Sequence, residues 1–163
     1  MKLVHLTEMT PPQWYDAWNT MFDPSLGDYM GVDPELIAAK PTLEGFYKNL
    51  LDAHAAGRFQ GWGIIKDGVY KGHVTLDKQV GEWECGVVLA DPADWNRGMA
   101  IRASLHACKW AFEEDGAEWV VAFTQGKDPT IVDILHRGGF RPFINFHVMD
   151  KPTWDARWRA RSK

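Results

Sequence analysis

Between residues 87 and 100 an apolar run, Val87-Val88-Leu89, gives way to a short loop, Asp91-Pro92-Ala93-Asp94, and then to a helix opening on Asn96-Arg97-Gly98-Met99-Ala100. This junction constrains the fold more than any other stretch. A strand that runs into a helix packs that helix on its own sheet, which points to an α/β chain. The junction also has chemical content. The first amides of a helix have no intrahelical partner, and with the helix dipole they form an anion site. The small residues Gly98 and Ala100 let a diphosphate approach the backbone, and Arg97 adds positive charge. On spacing alone the same residues read equally well as a tight strand–helix turn.

The flanking patterns supply the rest of the fold. Residues 3–6 read as a short opening strand. Thr10 can cap a helix that carries Pro11 and Pro12 in its first turn and Trp14, Trp18, Met21 and Phe22 at helical spacing. Residues 23–34, with their prolines, glycines and aspartates, read as a loop. A second helix is predicted over 42–54 from the stripe Leu43, Phe46, Tyr47, Leu50, Leu51 and His54, with Gly57 ending it. Residues 61–66 and 69–76 are predicted strands joined at Asp67-Gly68, a pair that tolerates positive φ. Residues 82–89 form the next strand. A helix over 98–114, a strand over 118–124, a helix from Asp128-Pro129 to Gly138-Gly139 and a closing strand over 143–149 complete the chain. The expected order is β-α-α-β-β-β-α-β-α-β, a mixed central sheet flanked by helices.

Composition narrows the function classes. A length of 163 residues suits one core. A formal charge of −4 gives no general attraction to nucleic acid or an anionic membrane. No apolar run approaches the roughly 20 residues that span a bilayer, and the first residues lack the apolar stretch of a signal peptide. Cys85 and Cys108 are far apart in apolar segments and read as buried thiols, so a reducing, cytoplasmic location is expected without a disulfide. No Cys/His cluster has zinc-ligand spacing, so no metal is expected. The nine tryptophans supply large rigid pieces, with Trp14, Trp18, Trp62, Trp83, Trp110 and Trp119 read as core and Trp95 as a loop residue. Their number also leaves room for a homodimer or a protein partner. Residues 1–150 are expected to be one domain and 151–163 a basic C-terminal tail in which Trp154 and Trp158 share a helix face. Basic residues beside aromatics are the only hint of nucleic acid, and a docked or frayed tail is the commoner outcome.

The segment Trp95-Asn96-Arg97-Gly98-Met99-Ala100 resembles the acetyl-CoA-binding motif of the GNAT superfamily of N-acyltransferases, Arg/Gln-x-x-Gly-x-Gly/Ala at the start of the helix after the fourth strand. The strand Trp119-Val120-Val121-Ala122-Phe123 and the ending Ile134-Leu135-His136-Arg137-Gly138-Gly139-Phe140 follow in the family's order, so the resemblance covers residues 60 to 145. It implies a GNAT-like fold, an acyl-CoA co-substrate, with acetyl-CoA as the expected donor, and a primary amine as acceptor. It implies cofactor contacts from Val87, Val88, Leu89, Asn96, Arg97, Gly98, Met99, Ala100 and Asp128, with an amide of Val88 or Leu89 steadying the oxyanion.

Four positions depart from the family pattern. Trp95 stands where Arg or Gln is usual, Asp128 where Asn is common, Leu135 where many members place a tyrosine acid, and Phe123 near where some place a glutamate base. Substitutes are therefore sought. Attack by an amine needs a base, and Glu84, which shares a strand face with Glu82, is the preferred one. His136, next to Leu135, is a second candidate acid or base, and His73 a third proton carrier. Each also has an ordinary reading as a strand or helix-surface side chain. The departures leave open a non-catalytic GNAT-like binding or assembly protein, as among virus-encoded members, and the basic tail leaves open a GNAT-like enzyme acting on a nucleobase.

Overall fold

Asp67 and Gly68 take positive φ values of 53° and 79°, and they close a hairpin in which Lys66 faces Val69. That hairpin joins β2 (Phe59–Lys66) to β3 (Val69–Gln79), the centre of the sheet. The computed structural model describes residues 1–30, 34–79, 81–95, 97–124, 129–143 and 146–159. Around the hairpin lie β1 (Lys2–His5), β4 (Glu82–Leu89), β5 (Trp119–Ala122), β6 (Arg141–Phe143) and β7 (Phe146–Asp150). The helices are α1 (Pro11–Met21), α2 (Pro24–Met30), α3 (Pro34–Ala38), α4 (Leu43–Ala55), α5 (Met99–Glu113), α6 (Pro129–Gly138) and α7 (Lys151–Arg157). The sheet order is β1-β2-β3-β4-β5-β7-β6. All pairings described are antiparallel except β4 with β5. The mixed sheet flanked by helices is as expected from the sequence.

One face of the sheet is sealed by α5. Ala103, Ala107 and Ala111 recur every four residues and are fully buried, so the helix axis comes close to the strands. Ile64, Val74, Leu76, Trp83 and Val120 meet it from the sheet, and Phe112 fills the far end. Burial of each large side chain there contributes roughly 1.5–3 kcal/mol. The other face carries α1 and α4. Thr42 caps α4 by accepting from the Gly45 amide at 3.1 Å, and Gln13 Oε1 accepts from the Thr10 amide at 2.9 Å at the start of α1. No residue of α4 is fully buried, although its apolar stripe is where the periodicity puts it.

Three expectations need correction. The stretch read as a loop over 23–34 contains α2 and begins α3, because Pro24 and Pro34 each sit at a first helical position, where a missing amide hydrogen is harmless. The closing strand read over 143–149 is a β6–β7 pair with Phe143 opposite Phe146. Trp119 is 38% exposed rather than core, since alternation along β5 buries Val120 and Ala122 instead. Within the segment set apart as a basic tail, α7 docks on the domain. Trp154 is buried, stacks on Phe112 with 5.5 Å between ring centroids, and donates its indole N–H to Glu113 at 3.0 Å.

Candidate active site

The parallel pairing of β4 with β5 is brief. Trp83 faces Val120 and Glu84 faces Val121, and the described ladder ends there. β4 continues to Leu89, still paired to β3 through His73↔Val88 and Gly72↔Leu89. Among the described residues the edge of β4 has no β5 ladder partner from Cys85 onward, and the two strands part there. Its backbone groups need partners from elsewhere.

Directly beyond this edge lies the start of α5. Gly98 is its N-cap, left-handed at φ 75° and ψ 7°, and it offers no side chain to the first amides. A Cβ at Gly98 would meet nothing within 4 Å, so the approach is open. Arg97 is exposed beside it. Arg102, one turn in, donates its Nε to the Gly98 carbonyl at 3.1 Å, which brings a second guanidinium to the helix end. The loop is fixed from below. A register shift between Ile64 and Ile65 bulges β3 at Lys71, whose ammonium lies 2.8 Å from Asp94 Oδ2. That contact holds the Asp94 carboxyl below its ordinary pKa, with Arg97 adding to the effect. Gly72, next to the bulge, admits no side chain, because a Cβ would stand 2.1 Å from the Val88 carbonyl oxygen.

A cavity of about 460 Å³ passes through the opening. On the α1/α4 side its floor is Gly61 of β2, Thr75 of β3 and Gly86 of β4, and its roof includes Trp14, Phe46 and Leu50. On the α5/α6 side it is lined by Ser104, Phe123, Leu135 and Phe140. Among the described residues its acidic side chains are Asp77 and Glu84, which face each other across β3 and β4. Burial, and then the neighbouring Asp77, pushes the Glu84 carboxyl above its ordinary pKa. His73 also faces the cavity, and its Nδ1 lies 2.6 Å from the Tyr70 hydroxyl. Burial pushes His73 down to about 4, so the ring is neutral near pH 7, and burial drives the Tyr70 hydroxyl upward.

The sequence-derived candidates separate accordingly. Glu84, Val87 and Val88 line the cavity, Leu89 ends the open edge, and Arg97, Gly98, Met99 and Ala100 form the helix start. His136 does not join them. It is exposed on α6, 5.5 Å from the His147 ring, and only its neighbour Leu135 reaches the cavity. Asn96 and Asp128 lie outside the described residues. Cys85 and Cys108 are free and buried, and the Cys108 thiol is raised by its hydrogen bond with Cys85 and by burial. Sequence reasoning missed Asp77, Ser104, Arg102 and the glycine floor. Asp77 and Glu84 become a pair only through strand register, which no local pattern reveals. The alternation of His73, Thr75 and Asp77 was the available clue.

The described strands part beside a helix start without a side-chain cap and next to a deep cavity, in a mixed α/β sheet. The chain belongs to the acetyltransferase (GNAT) domain family, whose model matches residues 4–141. Solved structures agree on the fold. An aminoglycoside acetyltransferase AAC(6')-Ib in complex with coenzyme A is 11% identical, with a TM-score of 0.73 over 96% of this chain and 99% of its own. A Vibrio cholerae spermidine N-acetyltransferase in complex with CoA and spermine is 12% identical, with a TM-score of 0.71 over 90% and 94%. A Bacillus anthracis acetyltransferase of the GNAT family is 17% identical, with a TM-score of 0.68 over 92% and 94%. No curated protein matches by sequence. Among the described residues no helix is long and apolar enough to cross a membrane.

Proposed function

We propose that this GNAT domain transfers an acyl group, acetyl in the first instance, from acyl-CoA to a primary amine. The observation that carries this reading is the parting of β4 from β5 beside a helix start with no side-chain cap. Those amides, with Arg97 and Arg102 close by, suit a diphosphate. The open edge from Val87 to Leu89 suits an amide-bearing arm that pairs with it as a strand would. When bound, the thioester supplies the activated acyl carbon. The chain's own residues do the rest. Glu84 takes the proton of the attacking amine, and its raised pKa makes it a better base near neutral pH than an ordinary carboxylate. An amide of Val88 or Leu89 steadies the oxyanion. Leu135 has no proton to give, so the buried Ser104 hydroxyl is the donor to the leaving sulfur. The amine acceptor is supported by relatives whose names specify spermidine and an aminoglycoside. Two free buried thiols suit a reducing cytoplasm.

Calorimetry with acetyl-CoA tests the cleft. Saturable binding is expected, lost in Gly98→Glu and weakened roughly tenfold in Arg97→Glu. Gly98 has positive φ, so its variant carries strain of about 1 kcal/mol and thermal unfolding is read alongside. Arg97 is exposed and free of that complication. Thiol release with an amine panel then tests turnover. No binding by the wild-type chain sinks the reading, and binding without turnover leaves a CoA-binding module.

A further inference from the structure

The acceptor half of the cavity has a particular chemistry. Gly61 and Gly86 contribute no side chains to its floor, and Thr75 lies between them. Trp14, Phe46 and Leu50 close it from above. No Lys or Arg lines the cavity among the described residues. Its two carboxylates, Asp77 and Glu84, are directly opposite across neighbouring strands, where like charges repel. Lys78, next in sequence, turns to the other face, where its ammonium lies 3.5 Å from Asp115. A paired carboxylate at one end of a slot otherwise lined by apolar side chains and the uncharged His73 and Thr75 suits one cationic group, and among the described residues no second negative charge lies further along.

We propose that the acceptor is a monoamine whose single ammonium is carried on an apolar, ring-sized body. This rests on the acyltransferase reading above and specifies its substrate class. The ammonium sits between Asp77 and Glu84, so the nitrogen that reacts is beside the base. The body lies on the glycine floor under Trp14 and Phe46, where rings pack edge-on or stacked. A polyamine or an aminoglycoside would push further ammonium or hydroxyl groups against Trp14, Phe46 and Leu50. Each buried there without a hydrogen bond costs on the order of 1–3 kcal/mol. Transfer forms the amide C–N bond and breaks the thioester C–S bond. The bound ammonium first gives one proton to Glu84, which releases it to water, and the neutral amine then attacks; its second N–H proton reaches the departing sulfur through the Ser104 hydroxyl, so CoA leaves as the thiol.

The test is calorimetric binding to the full chain, with and without CoA, of tryptamine, phenethylamine, spermidine and kanamycin. The aromatic monoamines should bind at least roughly tenfold tighter than spermidine or kanamycin. Glu84→Gln should weaken tryptamine. Gly86→Val should shrink the slot and shift the affinity ratio of tryptamine to ethylamine roughly tenfold toward ethylamine. Spermidine or kanamycin binding as tightly as tryptamine, or no binding of either aromatic amine, overturns the proposal. Thiol release from acetyl-CoA is scored separately. Turnover of spermidine in preference to aromatic amines rejects this substrate class and keeps the acyltransferase reading. Failure of acetyl-CoA to bind rejects that reading, while the amine affinities still decide the character of the slot.

Discussion

The two faces of the sheet are built on opposite rules. On the α5 face, alanines at every fourth position bring the helix down onto Ile64, Val74 and Leu76, which are fully buried. On the α1/α4 face the small residues are on the strands instead. Gly61 and Gly86 thin the sheet while α4 keeps its bulky stripe, and the stripe remains only half-buried over a cavity. Small residues on a helix let two surfaces meet, whereas small residues on a strand beneath a bulky roof leave space. The first arrangement contributes stability, and the second contributes a site.

Substitutions sharpen this contrast. The largest stability loss is expected from Phe112→Ala on the sealed face, about 3–5 kcal/mol by denaturant unfolding, because its 1% exposure leaves no room for relaxation. Leu50→Ala on the hollow face should cost less than about 2 kcal/mol, since part of its surface already faces the cavity. Ala107→Leu should cost about 1–3 kcal/mol by overpacking. The corresponding change on the other face, Gly63→Ala, should stay within about 0.5 kcal/mol. The new methyl group would meet Met9 Sδ at 3.5 Å, an ordinary contact. Equal losses from Ala107→Leu and Gly63→Ala would erase the distinction.

Titration gives smaller effects. His73 is neutral in the native state down to about pH 4, while the unfolded chain binds its proton nearer 6.5. Between those values the unfolded state holds more protons, so stability rises with pH and falls on acidification through that window. His73→Gln should flatten this part of the melting profile. Glu84 has the opposite sign. Its raised pKa means that the native carboxyl holds its proton more firmly, so stability present below the ordinary carboxylate range is lost as pH rises through the raised value. Glu84→Gln should therefore leave the melting temperature at pH 8 unchanged or higher, while lowering kcat/KM about a hundredfold or more. The smallest stability effect then accompanies the largest functional one, as a charge held for function predicts.

Some of this was legible in the chain. The Asp67-Gly68 turn and the opening of α5 at Gly98 are local events, set by which residues tolerate positive φ, and both fell where the sequence put them. The proline-started helices α2 and α3 were hidden by the same residues that suggest a loop. His136 was attractive because it adjoins Leu135, yet neighbours on a helix point about 100° apart, and only Leu135 reaches the cavity.

The sequence by itself determined the mixed sheet flanked by helices, the main strands and helices from α4 to α6 and the helix start at Gly98, because backbone preference and hydrophobic period act within a few residues. Tertiary structure alone decided that the described β4–β5 ladder ends at Glu84, that Asp77 comes to face Glu84, and that Gly61 and Gly86 from two strands join one floor. Those facts depend on register between segments distant along the chain, and register is set by the packing of the whole sheet.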